Sequence, residues 1–205
     1  MRVLALDISS KTGWALLEGE AGKANPVIVD RGLVELGAPI VAFGEYPSCY
    51  LLAAEAQAAN LAQLSARFDP DMVVIEETNL GKSRYVQKFL EFLHCTTLRE
   101  LRNVKQIPVY ISSSNWRSAL GLQMSKEDKK NNGKLSKAKR IAAQEGKKLD
   151  KAGLGIKGRI GKKHLSVRYV NAHFGLNLKM KDNDVADAIC LGTAYLVGAN
   201  LCDGE

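Results

Sequence analysis

Short apolar runs of strand-like composition predict a β-sheet in the first part of the chain. Residues 2–7 form the first run, which is rich in Val and Leu and ends at Asp7. After a turn containing Ser, Lys and Gly, residues 14–17 resume the apolar pattern. Residues 27–36 supply a third run after a loop with Gly and Pro. Together these runs predict a three-stranded antiparallel meander.

Helical periodicity alternates with apolar runs in the middle of the chain. From residue 50 to 68, Ala and Leu recur at helical spacing without an internal Gly or Pro. Residues 72–75 then form another apolar strand, and 85–102 have the pattern of an amphipathic helix. Residues 108–111 are a fifth strand candidate. The last two strands are separated by a helix, which is the arrangement typical of a parallel pair.

The remaining pattern is helical and completes an α/β element order. The serines at 112–114 are candidate caps for a short helix through Leu120, and 162–174 and 184–197 are predicted to form two closing helices. This order predicts a five-stranded mixed sheet flanked by helices, in a single domain over 1–205. Several α/β folds share such an order, so the function has to be argued from the chemistry.

One segment differs in composition from the rest of the chain. Lys, Asn and Gly accumulate at about 122–161, aromatic residues are absent and apolar residues are sparse. This composition predicts a basic, flexible insertion. Within it, 136–148 has enough Ala and Lys for a helix, and four glycines between 153 and 161 indicate flexible chain.

The positive charge of the protein is concentrated in that segment. Between Leu122 and Lys163 there are 14 basic and 4 acidic residues, whereas the net charge of the whole chain is +7. The rest of the chain therefore carries about −3. A local basic surplus of this size indicates a polyanionic partner that contacts one region of the molecule.

Composition also excludes several classes of protein. No run approaches the roughly 18–20 apolar residues of a membrane helix, and the start MRVLALDISS lacks a secretory signal, so we expect a cytoplasmic protein without membrane contact. The cysteines form no CxxC pair, which argues against a zinc or redox site. They are Cys49, Cys95, Cys190 and Cys202. We expect them to be reduced, with Cys95 and Cys190 acting as small hydrophobes.

Four carboxylates lie at the ends of predicted elements. Asp7 ends the first strand and Glu76 the fourth, while Asp184 and Asp187 open the last helix. If the two strands are neighbours, their acids meet at one edge of the sheet, and a helix across that edge adds its own. The i, i+3 spacing of Asp184 and Asp187 puts both on one helical face. Glu77 is an alternative to Glu76, because successive strand residues point to opposite faces.

Crowded carboxylates repel one another unless a cation is bound among them. Oxygen ligands without Cys or His favour Mg²⁺ or Mn²⁺, and two such ions about 4 Å apart can support phosphodiester cleavage. The alternative is structural: Asp7 as a turn residue, and Asp184 and Asp187 as acids favoured by a helix dipole.

Three motifs in this order resemble the RuvC-type Holliday junction resolvases of bacteria and phages, in the ribonuclease-H-like superfamily. They are ALDISSKTGWAL (5–16), VVIEE (73–77) and DNDVADAICLGTAYL (182–196). The resemblance implies a ribonuclease-H-like fold and a homodimer that cuts four-way DNA junctions at symmetrical positions. It also implies a site in which two Mg²⁺ or Mn²⁺ ions are held by four acids. These are Asp7, Glu76, Asp184 and Asp187.

Basic residues near these motifs are candidates for contact with DNA. Lys163 resembles a basic residue near the scissile phosphate, although Lys162 could take that place, and both are also compatible with a solvated helix end. The full set of candidates is Arg84, Lys88, Lys137, Arg140, Lys162 and Lys163. The chain departs from the family after the Ile-Glu motif, where an aromatic residue is usual. Here Thr78, Asn79 and Leu80 follow, and Tyr85 is the first aromatic.

Other functions are compatible with the same residues. The same acids could serve a broader structure-selective or RNA-directed nuclease, or the chain could bind branched DNA without cutting it. An actin-like ATPase is disfavoured, because the glycine-rich phosphate turn and the duplicated domain are missing. The three histidines lie in helical segments without a nucleophile motif, which disfavours a Ser- or Cys-dependent hydrolase. Trp116, beside Arg117, is expected in the core.

Overall fold

A mixed β-sheet with helices on both faces forms the framework of the protein. The computed structural model describes residues 1–23, 25–77, 83–146, 156 and 158–198. The strands are β1 (Arg2–Asp7), β2 (Lys11–Glu18), β3 (Val27–Glu35), β4 (Met72–Glu76) and β5 (Val109–Ile111). The helices are α1 (Ser48–Phe68), α2 (Arg84–Asn103), α3 (Ser113–Ala119), α4 (Lys126–Gln144), α5 (Lys162–Phe174) and α6 (Asn183–Leu196).

The five strands are ordered β3-β2-β1-β4-β5 across the sheet. β1 pairs with β2, and β2 with β3, in antiparallel fashion, whereas β4 lies parallel to β1 and β5 parallel to β4. The predicted mixed sheet, with an antiparallel meander and a parallel pair, is confirmed. This order places β1 at the centre, so the residue that ends β1 lies between β2 and β4.

Both faces of the sheet are buried, which explains why β1 and β4 have continuous apolar runs. Val3 and Ala5 face a core formed with α3, α5 and α6. Leu4 and Leu6 face the opposite core, formed with α1 and α2. The alternation follows from the two-residue period of a strand. It therefore assigns every residue of β1 and β4 to one of two helical layers.

Helix α6 packs closely on the sheet because small residues line the contact. A Cβ atom at Gly192 would lie 2.5 Å from Leu17 Cδ1 and 3.0 Å from the Cβ of Ala5. An added Cβ atom would therefore require the buried Leu17 side chain or the helix itself to shift. Glycine in mid-helix costs about 1 kcal/mol relative to alanine, so its use here reflects the close approach of α6 to β1 and β2.

Helix α4 differs from the prediction for the basic segment. The helix was expected at 136–148, but it begins at Lys126 and ends at Gln144. Leu135 is buried, and the Asn132 side chain accepts from the Ile160 N–H at 2.9 Å and donates to its carbonyl at 2.7 Å. These contacts hold the helix against the protein, whereas Gly153 and Gly155 lie outside the described residues.

Two smaller predictions have different outcomes. Cys190 is buried, as expected, whereas Cys95 is exposed, because its position on α2 turns away from the apolar stripe that faces the sheet. Cys202 lies outside the described residues. Among the helices that the structure describes, none combines the length and the apolar character needed to cross a membrane.

Candidate active site

Asp7 and Glu76 lie at the same end of neighbouring strands. The parallel register pairs Leu6 with Ile75, so the next residue of each strand is an acid. Residues 3 and 5 of β1 and residue 74 of β4 face the α6 layer, and the two-residue period extends this side to Asp7 and Glu76. Glu77 has the opposite parity and is exposed. The strand geometry therefore selects Glu76 of the two adjacent glutamates.

Glycine at position 13 allows the start of α6 to reach this end of the sheet. Gly13 pairs with Asp7 across β1 and β2. A Cβ atom at Gly13 would lie 2.1 Å from the carbonyl oxygen of Asp184 and 2.2 Å from its carbonyl carbon. Only hydrogen fits in that space. The contact brings the first turn of α6, which carries Asp184 and Asp187, beside Asp7.

The turn that follows Asp7 is held by buried polar contacts. The Thr12 hydroxyl donates to the Ser9 carbonyl at 2.8 Å, and the Ser9 N–H donates to Thr12 Oγ1 at 3.2 Å. Gln57 of α1 donates from Nε2 to Thr12 Oγ1 at 3.2 Å and to the Val34 carbonyl at 2.9 Å. This network ties the end of β1 to α1 and β3, and it limits movement of Asp7.

Two basic side chains neutralise the acids of α6. Lys163 donates from Nζ to Asp184 Oδ1 at 2.6 Å and also to Asn183 Oδ1. Arg117 donates from Nη2 to Asp187 Oδ1 at 3.1 Å. The Lys163 side chain is 53% exposed, whereas the Arg117 and Asp187 side chains are 10% and 4% exposed. One ion pair is therefore open to solvent and the other is enclosed.

The structure also reveals a partner of Glu76 that the sequence did not indicate. Trp116 is buried in the core, as predicted, but its indole Nε1 donates to Glu76 Oε2 at 3.1 Å. Arg117 and Trp116 are neighbours on the short helix α3. No sequence motif distinguishes this pair, because its contacts depend on where α3 sits relative to β4 and α6.

The acids lie close enough to change one another's ionisation. Burial raises the pKa of Asp7 well above its ordinary value, and the charges of Glu76, Asp187 and Asp184 raise it further. The ammonium of Lys163 acts in the opposite direction. Burial and then the charge of Asp187 raise the pKa of Glu76 to about 7. The site therefore carries negative charge at a cost in free energy, as expected for a site that a cation would stabilise.

The raised pKa of Glu76 predicts a specific dependence of stability on pH. In the unfolded chain Glu76 has an ordinary pKa of about 4.5, and in the folded protein it has one of about 7. The folded state binds the proton more tightly, so this group's contribution to stability is present below pH 4.5 and is lost as the pH rises through 7. Glu76→Gln should remove that loss, which is on the order of 2 kcal/mol.

Thermal unfolding in EDTA at pH 5 and pH 8 measures this effect. The Tm of Glu76→Gln should exceed that of the parent more at pH 8 than at pH 5. Glu77→Gln is the matched control, since Glu77 is exposed on the other face. An equal difference in Tm at both pH values would show that Glu76 is not buried among negative charges.

The chemistry of the acids suits a hard divalent cation, but their present arrangement is not a finished metal site. Carboxylate oxygens are the ligands that Mg²⁺ and Mn²⁺ prefer. Within the described ranges, no group of three or more His, Cys, Asp or Glu side chains is placed to hold a metal ion. Asp184 and Asp187 instead contact Lys163 and Arg117. Cation binding would therefore require Asp184 to exchange its lysine partner.

The other basic candidates lie at different distances from the acids. The charge of Lys162 lowers the pKa of Glu76, so Lys162 lies near the acids with Lys163. Lys88 donates to the Tyr46 hydroxyl at 2.9 Å, and Arg84 is exposed at the start of α2. Lys137 and Arg140 are exposed on α4. Contact of these residues with DNA stays a prediction.

The three histidines have structural contacts. His94 is buried, His173 stacks on Tyr169 with ring centroids 5.1 Å apart, and His164 accepts from the Gly161 N–H at 3.2 Å. None of these histidines is shown in contact with the acids. The residues after the Ile-Glu motif, Thr78, Asn79 and Leu80, lie outside the described residues.

The protein has the ribonuclease-H-like fold of the RuvC-type Holliday junction resolvases. Over 98% of this chain and 97% of the other, it is similar to Thermus thermophilus RuvC in complex with a Holliday junction substrate, with a TM-score of 0.62 and 11% identity. It is also similar to the yeast mitochondrial Holliday junction resolvase Ydc2, at 13% identity and a TM-score of 0.54, over 97% of this chain and 79% of that one.

The chain is also similar in structure to a viral resolvase. The fowlpox virus resolvase bound to Holliday junction DNA is 12% identical, with a TM-score of 0.50 over 96% of this chain and 97% of that one. No protein-family model matches the chain, and no curated protein sequence matches it. At these identities the likeness establishes the fold. The activity has to be argued from the site.

Proposed function

We propose that this protein is a metal-dependent endonuclease that resolves four-way DNA junctions by paired hydrolysis of phosphodiester bonds. The observation that supports this most is the cluster of four acids on one face of the sheet, at the end of β1 and β4. The cluster occurs in a chain that resembles junction-resolving proteins over nearly its whole length. A fold without the cluster would support DNA binding at most.

In this proposal the acids hold one or two Mg²⁺ or Mn²⁺ ions. The ligands are Asp7, Glu76, Asp184 and Asp187. When bound, such ions supply an activated water and stabilise the leaving oxygen. Lys163 is exposed, so its ammonium can contact the scissile phosphate and release Asp184. Arg117 is enclosed and remains with Asp187.

Two symmetrical cuts in one junction require two active sites, and we propose that a homodimer supplies them. The described residues contain one such cluster of acids, so a second copy of the chain would provide the other. Exposed apolar side chains on the α1–α2 side of the sheet offer a surface for such a partner. They include Val41, Tyr46, Leu51, Leu52, Tyr85, Val86 and Phe92.

Helix α4 is the proposed surface for the DNA backbone. One side of the helix contacts the rest of the protein. On that side Asp128 accepts from Arg168 of α5 at 3.0 Å, and Leu135 is buried. The basic side chains of the helix all lie on exposed positions. They are Lys126, Lys129, Lys130, Lys134, Lys137, Lys139 and Arg140. A docked helix with this charge pattern contacts phosphates without reading bases.

Replacing Lys137 and Arg140 with glutamine should weaken binding to any DNA. We expect affinity to fall roughly tenfold, and the slope of log affinity against log salt to fall by about 2, because two phosphate contacts are lost. Fluorescence anisotropy with a labelled junction and a labelled duplex, at several salt concentrations, measures both quantities. The control is Arg2→Gln with Lys23→Gln, at the opposite end of the sheet from Asp7. An equal effect of both double variants would contradict a specific role for α4.

The proposed activity is tested by cleavage of a synthetic four-way junction. The protein is incubated with the junction, a flap, an RNA–DNA hybrid and a linear duplex, in Mg²⁺ and in EDTA. Paired nicks in opposite strands of the junction, dependent on Mg²⁺, would support the proposal. Comparable cleavage of flaps or hybrids would indicate a broader nuclease of the same fold. Binding of the junction without cleavage would indicate a DNA-binding protein and would overturn the proposal.

A further inference from the structure

Two neighbouring residues of α3 each hold one acid of the proposed site. Trp116 donates to Glu76 on β4, and Arg117 donates to Asp187 on α6, both at 3.1 Å. The acids come from elements that are far apart in sequence, and α3 contacts both of them. We propose that Trp116 and Arg117 are positioning residues that hold the carboxylates of Glu76 and Asp187 for cation binding, an inference that rests on the proposed function.

The position of α3 is determined by the strand beside β4. Ile111 of β5 pairs with Glu76 in the parallel register, and its carbonyl accepts from the Glu77 N–H at 2.9 Å. Ser112 follows immediately and caps α3, accepting from the Asn115 N–H at 3.3 Å. Trp116 is one helical turn further on. A short, hydrogen-bonded path therefore fixes the distance between the indole N–H and the Glu76 carboxylate.

The guanidinium of Arg117 is itself immobilised. It stacks on the Trp116 ring, 4.0 Å from the ring centroid. Its Nη1 donates to Ser166 Oγ at 2.9 Å and to the Lys162 carbonyl at 3.4 Å. Nε is buried without a hydrogen-bond partner among the described residues. Arg117 therefore presents Nη2 to Asp187 in one orientation, and it differs in this from the exposed Lys163.

A purely structural role explains this pair less well. A buried ion pair gives little net stability compared with apolar residues of similar size, because both charges lose their hydration. The two hydrogen bonds instead orient the carboxylates that they contact. Each bond engages one carboxylate oxygen, Oε2 of Glu76 or Oδ1 of Asp187, and leaves Oε1 or Oδ2 outside that bond. A carboxylate held in this way loses less conformational entropy when it takes a ligand.

A variant with a single tryptophan allows cation binding to be measured by fluorescence, without an activity assay. The chain has two tryptophans, and Trp14 lies on the opposite face of the sheet, packed on Phe68. In Trp14→Phe the fluorescence therefore reports Trp116 alone. Titration with Mn²⁺, a paramagnetic quencher, should give saturable quenching. In this background Arg117→Gln should raise the Mn²⁺ midpoint roughly tenfold or more, and Arg117→Lys by less.

Cleavage by Trp116→Phe provides a second measurement that does not depend on the arginine variants. Phenylalanine keeps an aromatic face for Arg117 but removes the N–H donor to Glu76. We expect kcat to fall roughly tenfold or more, with KM and junction affinity in EDTA within about twofold of the parent. Trp14→Phe is the matched control and should cleave as the parent does. A Tm close to that of the parent shows that each variant is folded.

The outcomes separate this inference from the proposed function. If the parent cleaves junctions in Mg²⁺ while Trp116→Phe keeps its kcat and Arg117→Gln keeps the Mn²⁺ midpoint, the positioning role is wrong and the nuclease stands. If the parent neither cleaves nor responds to Mn²⁺, the proposed function fails and this inference fails with it. A raised midpoint together with a lowered kcat supports the positioning role.

Discussion

Asp7→Asn is expected to abolish junction cleavage and, in EDTA, to raise the thermal stability of the protein. Asparagine has nearly the shape of aspartate but lacks the charge that burial and the other acids destabilise. Loss of one cation ligand should reduce the cleavage rate by at least about 10³-fold. Removal of a buried, repelled charge should raise Tm in EDTA by roughly 2–8 °C at pH 8.

The combination of the two effects distinguishes a functional acid from a structural one. Mg²⁺ should raise the Tm of the parent, by mass action, and leave that of Asp7→Asn nearly unchanged. Asp30→Asn on β3 is the matched control, because the Asp30 carboxylate accepts from the N–H of the neighbouring Arg31 and lies outside the cluster of acids. A lower Tm for Asp7→Asn in EDTA would indicate that Asp7 stabilises its turn, and unchanged cleavage would remove it from the site.

Gly13→Ala is expected to disrupt the site without changing any of its polar side chains. The backbone of Gly13 is outside the left-handed region, so its dihedral angles would tolerate alanine. The difficulty is steric, since the new methyl group would lie 2.1 Å from the Asp184 carbonyl oxygen. Relief requires the start of α6 to move away from β2. A displacement of about 1 Å can cost 10²-fold in rate, and we expect a loss of at least that size.

The same substitution should also destabilise the fold. Overpacking of a tight contact costs about 1–3 kcal/mol, which chemical denaturation would measure beside the cleavage rate. Gly37→Ala is the matched control, because no atom lies within 4 Å of its added methyl group and its backbone also has no positive φ. If Gly13→Ala had the stability and activity of the parent, α6 could not be packed on β2 as described.

The strands and the acids that end them could be predicted because their signals are local. The runs at 2–7 and 72–75 are apolar on both faces, and an acid interrupts each of them at its end. The sequence could not choose between Glu76 and Glu77. A strand that is buried on both sides has no polar face, so its pattern does not show which residues point to which helical layer. The register with β1 and the side occupied by α6 made that choice.

The contacts of α3 and α4 could not be predicted, because they arise from tertiary structure. Arg117 is one basic residue in a short helix, and nothing near it in sequence marks it as the partner of Asp187. The first half of α4 contains two asparagines and Gly133, which are weak helix formers. Docking compensates for them through the Asn132 contacts with Ile160 and the burial of Leu135.

The length of α4 sets a scale for the DNA that it can contact. Its 19 residues rise about 28 Å, which is the length of about eight base pairs along a duplex. A helix of this length, with positive side chains along its exposed side, can contact the phosphates of one junction arm over most of a turn of the duplex. Arms shorter than about eight base pairs would leave part of the helix without phosphates to neutralise.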